Sequence, residues 1–136
     1  MKIFLDSSFL IALINDNDSL HKKALEYVEL TEDNDCYISN LIINEVITVI
    51  GNKLGLSVAI SSYDLLTSVF NIINEYDLKD FNYNTMLFYE TYKTKLSFTD
   101  SSILLIMEKK GISNLLSFDK EFKRVENINL IGLWFL

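Results

Sequence analysis

The sequence predicts an α/β domain with a mostly parallel sheet. Short apolar runs that suit strands alternate with longer segments of helical periodicity, in an order close to β-α-α-β-α-α-β-α-α-β-β. The first run, Ile3-Phe4-Leu5, is continuously apolar, as expected of a central strand covered on both faces. The chain has 136 residues and neither a linker nor a repeat, so we expect a single domain over residues 1–136.

The first half of the chain indicates three helices and a second strand after the opening one. The helices are expected at 9–14, from a Ser19 cap through about Thr31, and at 41–50 with Ser39 or Asn40 as the cap and Gly51 as a left-handed end. The second strand is expected at Cys36-Tyr37-Ile38.

The second half indicates three more helices and three more strands. The helices are expected from Ser57 to about Phe70, from Lys79 to Lys95, and from Asp100 to Lys110 with Ser97 as the opening cap and Gly111 as the stop. The strands are expected at 72–76, where the pattern is weaker, at 115–118, and from Ile128 to about Leu133. The aromatic residues of the helix that begins at Lys79 favour packing over base stacking.

Composition and charge narrow the class of protein. Cys36 is the single cysteine, which excludes a disulfide or a cysteine zinc site within the chain. The sequence has no signal peptide and no apolar run near the roughly 18 residues of a membrane span, so we expect a cytoplasmic protein with no membrane partner. The formal net charge of −7 is unfavourable for binding nucleic acid, because phosphate contacts call for Lys and Arg.

Two aspartates follow predicted strands, and a third follows a serine at a helix start. Asp6 and Asp119 come at the ends of short apolar runs, which share one edge in a parallel sheet. Asp100 stands three residues after Ser97. A structural alternative exists for two of them, because Asp6 could be a helix N-cap and Asp100 could complete a capping box.

Glu45 is the fourth acid of interest. It lies in the middle of a segment that is apolar on nearly every side, where an ionised carboxylate is costly unless a positive group faces it. That group could be Arg124, the single arginine, or a lysine, or a bound cation. Together the four acids predict a pocket of hard oxygen ligands suited to Mg²⁺ or Mn²⁺, whereas His21 and Cys36 do not fit as ligands.

The segments that carry these acids also carry a family resemblance. They read Ile3-Phe4-Leu5-Asp6-Ser7-Ser8, Ile38-Ser39-Asn40-Leu41-Ile42-Ile43-Asn44-Glu45-Val46, Leu96-Ser97-Phe98-Thr99-Asp100 and Ser117-Phe118-Asp119-Lys120-Glu121-Phe122. In order and spacing they resemble the PIN-domain family, especially the VapC-type toxins of toxin–antitoxin pairs. The likeness spans the whole chain; Ser7 stands where the family often has Thr, and the fourth acidic station is the one that varies most.

The resemblance implies a fold, an activity and partners. The expected fold is a three-layer α/β/α sandwich around a sheet of about five strands, and the expected activity is metal-dependent RNA cleavage. Asp6, Glu45, Asp100 and Asp119 would be the catalytic residues and hold the metal, with Ser7 or Ser117 in support. The resemblance also implies an antitoxin partner and a homodimer. Apolar candidates for these contacts are Phe9, Leu10, Leu13, the aromatic helix after Lys79, and Trp134-Phe135-Leu136.

The implied chemistry agrees with the residue types. Divalent ions can activate a water and relieve charge on a phosphodiester, so no histidine base is required. Without the four site acids the formal charge of −7 becomes −3, so the remaining surface is only mildly acidic. Cationic residues that flank the last two acids could contact the RNA backbone or be ordinary solvated surface: Lys93, Lys95, Lys120, Lys123 and Arg124.

Two alternatives come from other functional classes. A phosphoacceptor domain would use Asp6 as a nucleophile, but such sites want another acid beside the first, and Ser7-Ser8 supplies none. A non-catalytic interaction module would need four acids with purely structural roles.

Overall fold

A computed structural model describes residues 1–133 of the chain and shows, within them, one five-stranded sheet. The strand order is β3-β2-β1-β4-β5, and every pairing of neighbours is parallel. The strands are β1 (Lys2–Leu5), β2 (Asp35–Ser39), β3 (Asn71–Ile73), β4 (Asn114–Leu116) and β5 (Asn129–Ile131). The expected three-layer α/β/α sandwich is confirmed.

Seven α-helices and two short 3₁₀ helices connect these strands within residues 1–133. The 3₁₀ helices are Glu75–Asp77 and Lys120–Arg124. The α-helices are α1 (Ser7–Ile14), α2 (His21–Leu25), α3 (Val28–Glu32), α4 (Asn40–Leu54), α5 (Leu56–Val69), α6 (Phe81–Thr91) and α7 (Phe98–Lys110). Helix α1 packs on α2 and α4, α4 packs on α5, and α6 packs on α7. Among the described residues, no helix is long and apolar enough to cross a membrane.

Strand β1 is the centre of the sheet, as its apolar run predicts. Ile3, Phe4 and Leu5 are all fully buried, and they pair with β2 on one side and β4 on the other. The chain builds outward from β1 to β2 and β3, and then reverses direction at β4. The crevice at such a reversal, outside the carboxyl ends of the strands, is the usual place for a ligand in open parallel sheets. Asp6 and Asp119 lie at the exits of the two strands that flank it.

The helix predicted from Ser19 through about Thr31 is wrong as a single element. The structure has α2 and α3 instead, and Leu20 rather than Ser19 occupies the N-cap position of α2. Tyr27, in the break between them, packs its ring against Phe118 with a centroid distance of 6.2 Å. A contact with a residue so distant in sequence is not visible in local periodicity.

Helix α4 differs from its prediction in length and in burial. It continues through Gly51 to Leu54 and ends at Gly55, whose φ of 92° only glycine adopts readily, so Gly51 is not the predicted left-handed end. Its fully buried positions are Ile42, Val46 and Ile50, which lie on one stripe at i, i+4 and i+8. The helix is therefore amphipathic rather than buried on all sides. Of the two predicted caps, Ser39 and Asn40, the structure has Ser39, which accepts a hydrogen bond from the Ile42 amide at 3.5 Å.

The elements that follow α5 are shorter than predicted, with one exception. Strand β3 stops at Ile73, so the predicted end at Tyr76 falls in a 3₁₀ helix. Helix α6 stops at Thr91, and Lys93 and Thr94 take positive φ angles that end helical structure before the predicted Lys95. Helix α7 has the predicted Ser97 cap and the predicted left-handed end at Gly111, φ 67°, but it begins at Phe98, two residues before the predicted Asp100.

Two of the predicted contact residues are not on the surface. Phe9 and Leu10 are fully buried in the core, so the prediction that they serve a partner interface is wrong. Tyr83 of α6 is exposed, so the prediction that this helix contacts a partner protein still stands as a prediction. Trp134-Phe135-Leu136 lies outside the described residues.

Candidate active site

Asp6 lies where β1 passes into α1, with only 2% of its surface exposed. It occupies the N-cap position, but its carboxylate accepts no capping hydrogen bond from the helix. Instead, the hydroxyls of Ser8 and Ser117 both donate to Asp6 Oδ2, at 2.8 Å and 2.7 Å. The alternative that Asp6 is simply a helix cap is therefore wrong. Burial raises the pKa of Asp6, and the two serine hydroxyls partly offset that rise.

The same two serines tie the exit of β1 to the exit of β4. Ser8 Oγ accepts the Phe118 amide at 3.0 Å, and Ser117 Oγ accepts the Asp119 amide at 3.0 Å. Each hydroxyl thus receives a backbone N–H and donates its own proton to the buried carboxylate. Ser117 has the expected supporting place beside Asp6. Ser8 was not predicted, and the only sequence signal for it is a second serine after the aspartate.

Asp119 stands just beyond Ser117 and is half-buried. Its Oδ1 accepts the Glu121 amide at 2.9 Å and so caps the 3₁₀ helix Lys120–Arg124. Arg124, at the end of that helix, forms a salt bridge with Glu121. The alternative in which Arg124 neutralises Glu45 is therefore wrong.

Asp100 belongs to the first turn of α7 and is also half-buried. Its amide donates to Ser97 Oγ at 3.0 Å and its Oδ2 accepts the Ser97 amide at 3.2 Å, which completes the predicted capping box. Burial and the charge of Asp6 nevertheless raise the pKa of Asp100 to about 7. Asp100 therefore caps its helix and also lies within the electrostatic reach of Asp6.

Glu45 projects from α4 and is exposed, which corrects the expectation of a carboxylate surrounded by apolar residues. Although the residue as a whole is exposed, its pKa is raised, first by partial burial of the carboxyl group and then by the charge of Asp6. A hydrogen bond from the side chain of Ser7 lowers that pKa and links the start of α1 to Glu45. Ser7 thus contacts one of the predicted site acids, while Ser117 contacts another.

The charges of Asp6 and Asp119 act on the other acids of the site. The charge of Asp119 raises the pKa of each of the other three, and the charge of Asp6 raises the pKa of both Glu45 and Asp100. Such mutual effects require the carboxylates to share one region, at the carboxyl edge of β1 and β4. The structure therefore brings together residues that are separated by up to 113 positions in the chain.

The donor set suits a hard divalent cation such as Mg²⁺ or Mn²⁺, since it consists of carboxylate and hydroxyl oxygens. Within residues 1–133, no three acidic, His or Cys side chains already stand close enough to hold a metal ion. Closing the set around an ion requires side-chain rotation. Glu45 is exposed and Asp100 and Asp119 are half-buried, while the serines hold Asp6 in place.

A lysine lies over the ring of Phe118, the residue between Ser117 and Asp119, and the sequence did not indicate this contact. Lys23 of α2 holds its Nζ 5.0 Å from the centroid of the Phe118 ring. Desolvation lowers the pKa of Lys23, the charge of Glu26 raises it, and the charge of Lys123 lowers it, so an acid and a lysine from a distant segment both lie within electrostatic reach. The Phe118 amide is bonded to Ser8, so this positive region adjoins the site.

Comparisons with known proteins agree with the fold. The family model described as PIN domain matches residues 3–128. No curated protein sequence matches the chain. Among solved structures, VapC20 of Mycobacterium tuberculosis, described as a toxin that cleaves the sarcin-ricin loop, is 23% identical with a TM-score of 0.81, over 93% of this chain and 96% of that one.

Two further similar structures are toxin–antitoxin assemblies. VapBC2 of Rickettsia felis, bound to a DNA fragment of its promoter, is 20% identical with a TM-score of 0.63, covering 96% of this chain and 97% of that one. The DNA-bound VapBC of Salmonella typhimurium is 18% identical with a TM-score of 0.67, covering 96% of each chain. At these identities the likeness establishes a shared fold.

Proposed function

The chain belongs to the PIN-domain family, and from this premise we propose that it is a metal-dependent endoribonuclease, the toxin of a toxin–antitoxin pair. The observation that carries the proposal is that Asp6, Glu45, Asp100 and Asp119 lie within electrostatic reach of one another at one edge of the sheet. Purely structural carboxylates have no reason to gather there unpaired, because each raises the free energy of ionising the others.

The residues of the site have separable roles. Asp6 is the buried ligand, and Ser8 and Ser117 orient it by donating to the same oxygen, Oδ2. Glu45, held by the Ser7 side chain, and Asp100, held by its capping box, bring the more accessible carboxylates. When bound, one or two divalent cations would supply an activated water and relieve charge on the phosphoryl oxygens.

Positive side chains can guide the RNA strand toward this acidic edge. Lys23 lies over the Phe118 ring and within electrostatic reach of Lys123 and Glu26, so these two lysines are candidates for contacts with RNA phosphates near the site. Arg124 is partly neutralised by Glu121 and contributes less. The local field therefore differs from what the net charge of −7 suggests.

Cleavage of single-stranded RNA by the purified protein, with Mn²⁺ or Mg²⁺ and with EDTA, tests the proposal. We expect cleavage only with the metal, and Asp6→Asn should lower the rate at least about 100-fold, since even the partners of a metal ligand are worth about 10- to 100-fold. Without metal, Asp6→Asn should be as stable as the wild type or more so, because burial already raises the pKa of this acid.

A matched control is Asp64→Asn, which removes an exposed carboxylate from α5 and should leave cleavage unchanged. Wild-type cleavage rates in the Asp6→Asn protein, or equal activity with EDTA, would contradict the catalytic assignment.

The proposal includes an antitoxin partner and a homodimer. Two of the similar structures are assemblies of a toxin with its antitoxin. On this chain, α5 presents Leu56, Ile60 and Tyr63 to solvent, 75%, 55% and 51% exposed, along one stripe at i, i+4 and i+7. An apolar stripe of this kind is typical of a surface that a partner covers.

A further inference from the structure

An open groove of about 400 Å³ adjoins the acidic site between α4 and the start of α7. Glu45 belongs to both the groove and the acidic site. Ser97, which lines the groove, is the capping partner of Asp100. The groove therefore continues directly from the place where a scissile phosphate would lie. Its lining residues are Leu41, Asn44, Glu45, Thr48, Val49, Ser97 and Thr99.

Three polar side chains of the groove have unused hydrogen-bonding capacity. Among the described residues, the Asn44 amide and the hydroxyls of Thr48 and Thr99 have no hydrogen-bond partner. Many helical hydroxyls elsewhere donate to a backbone carbonyl of their own helix: Thr31, Ser61, Ser62, Thr67, Ser68, Thr91 and Ser102. Thr85 and Ser101 also lack a partner, but they are buried, whereas Asn44 and Thr48 are exposed and Thr99 is half-buried. The groove thus offers donors and acceptors to an outside molecule.

The charge of the groove indicates whether it suits a phosphate or a base of the substrate. Among the described residues, Glu45 is the only charged one in its lining, and no lysine or arginine of the kind that a phosphate would need lines it. Leu41 and Val49 supply apolar surface for the face of a ring, and the Asn44 amide supplies the paired donor and acceptor that match an adenine edge. The phosphates would be contacted outside the groove, and Lys23 at the Phe118 ring is a candidate for that contact.

We propose that this groove binds one nucleotide of single-stranded RNA next to the scissile phosphate and that Asn44 reads its base, with adenine preferred. The inference rests on the proposed ribonuclease function. Sequence-specific RNA recognition uses unpaired bases whose edges are open to hydrogen bonding, and a polar groove without a cationic lining residue, beside the catalytic acids, provides for that. Asn44 is thus a specificity-determining residue rather than a catalytic one.

The experiment measures binding and cleavage separately. Fluorescence anisotropy with oligoadenylate, oligouridylate and oligocytidylate, in Mn²⁺, gives the base preference of the cleavage-impaired Asp6→Asn protein. Asn44→Ala in that background should reduce the preference for adenine about 5- to 100-fold, the range of one paired amide–base contact. Cleavage by wild type and Asn44→Ala, mapped by sequencing the product ends, should show the same loss beside the cut.

The control variants change the same residue types at positions outside the groove. Asn52→Ala removes an exposed asparagine two turns along α4 and should change neither readout. Thr48→Val should weaken adenine binding, whereas Thr67→Val on α5, whose hydroxyl is bonded to the Tyr63 carbonyl, should not. Circular dichroism shows that each variant is folded.

The outcomes separate the groove from the catalytic proposal. If the wild type cleaves RNA but Asn44→Ala keeps its base preference, the groove assignment is overturned and the nuclease stands. If RNA is bound with an Asn44-dependent preference but never cut, the groove stands and the catalytic proposal fails. An equal loss in Asn52→Ala, or no binding of any oligonucleotide, overturns the groove assignment.

Discussion

The serine hydroxyls are the residues that hold the buried Asp6 carboxylate in place. Ser117 is fully buried, donates to Asp6 at 2.7 Å and accepts the Asp119 amide at 3.0 Å. A single hydroxyl therefore satisfies a buried carboxylate and a backbone donor that come from the two strands flanking the site. Loss of it leaves both groups with an unmet hydrogen bond.

Ser117→Ala should lower the free energy of unfolding by about 1–3 kcal/mol, the cost of leaving buried polar groups unsatisfied. It should also weaken Mn²⁺ binding about 10- to 100-fold, as expected when a group that orients a metal ligand is lost. Urea unfolding and calorimetric Mn²⁺ titration measure the two effects. Ser61→Ala is the control, because its hydroxyl is exposed and bonds only within α5. Equal stability of the two variants would count against the bridging role.

At the scale of elements, helix α4 is anchored by a residue far away in the sequence. Glu75 is fully buried, and its two carboxylate oxygens accept the amides of Asn40 and Leu41, each at 3.0 Å. A carboxylate at a helix N-terminus satisfies otherwise unpaired N–H groups and interacts favourably with the helix dipole. Glu75 thereby joins the end of β3 to the helix that carries Glu45.

Glu75→Gln should destabilise the protein by about 1–3 kcal/mol, because the amide group brings donors toward two backbone donors and removes a charge-assisted interaction. Thermal and urea unfolding test this directly. Glu90→Gln, at an exposed position of α6, should stay within about 0.5 kcal/mol of the wild type. The anchoring role is wrong if the two variants unfold alike.

At the scale of the whole molecule, the crowded acids make stability depend on pH. The pKa of Asp100 is raised to about 7, and the pKa values of Asp6 and Glu45 are raised as well. A raised carboxyl pKa means that the folded protein holds a proton that the unfolded chain has released. These groups therefore stabilise the metal-free protein at low pH, and that contribution is lost as the pH rises toward about 7.

Thermal melts of the metal-free protein should accordingly show a contribution from these acids that falls between about pH 4, near the unfolded pKa, and about pH 7. Mn²⁺ binds the deprotonated carboxylates, so its stabilising effect should grow over the same range. Asp100→Asn should flatten both trends, while Asp64→Asn should not. Melting temperatures that respond neither to this pH interval nor to Mn²⁺ would leave the four acids without a shared site.

The exposed stripe of α5 leads to a prediction about assembly. If Leu56, Ile60 and Tyr63 are covered by a second copy, light scattering should give a dimer, and Ile60→Asp should convert it to a monomer that still cleaves RNA. Lys53→Asp, at an exposed position of α4, is the control for introducing an acidic side chain at the surface, and it should leave the dimer intact. A wild-type protein that stays monomeric at high concentration contradicts the homodimer.

The sequence by itself determined the features that depend on neighbouring residues. The apolar run Ile3–Leu5 predicted the central strand and the position of Asp6 at its end. Ser97, Asp100 and Gly111 predicted both ends of α7 because caps are local hydrogen-bonding and backbone preferences. The order of strands and helices predicted a parallel sheet, whose geometry places Asp6 and Asp119 at one edge.

Only the tertiary structure decided which side chains meet across that edge. Ser8 and Ser117 are 109 residues apart, and Lys23 of α2 contacts the ring of Phe118 in the loop after β4. No periodicity in the sequence could predict either contact. The prediction that apolar residues surround Glu45 was wrong, because apolar neighbours in sequence do not determine which stripe of a helix faces the core. Parallel strands are joined by long crossovers, and the contacts that complete the site form between segments whose separation in sequence is set by those crossovers.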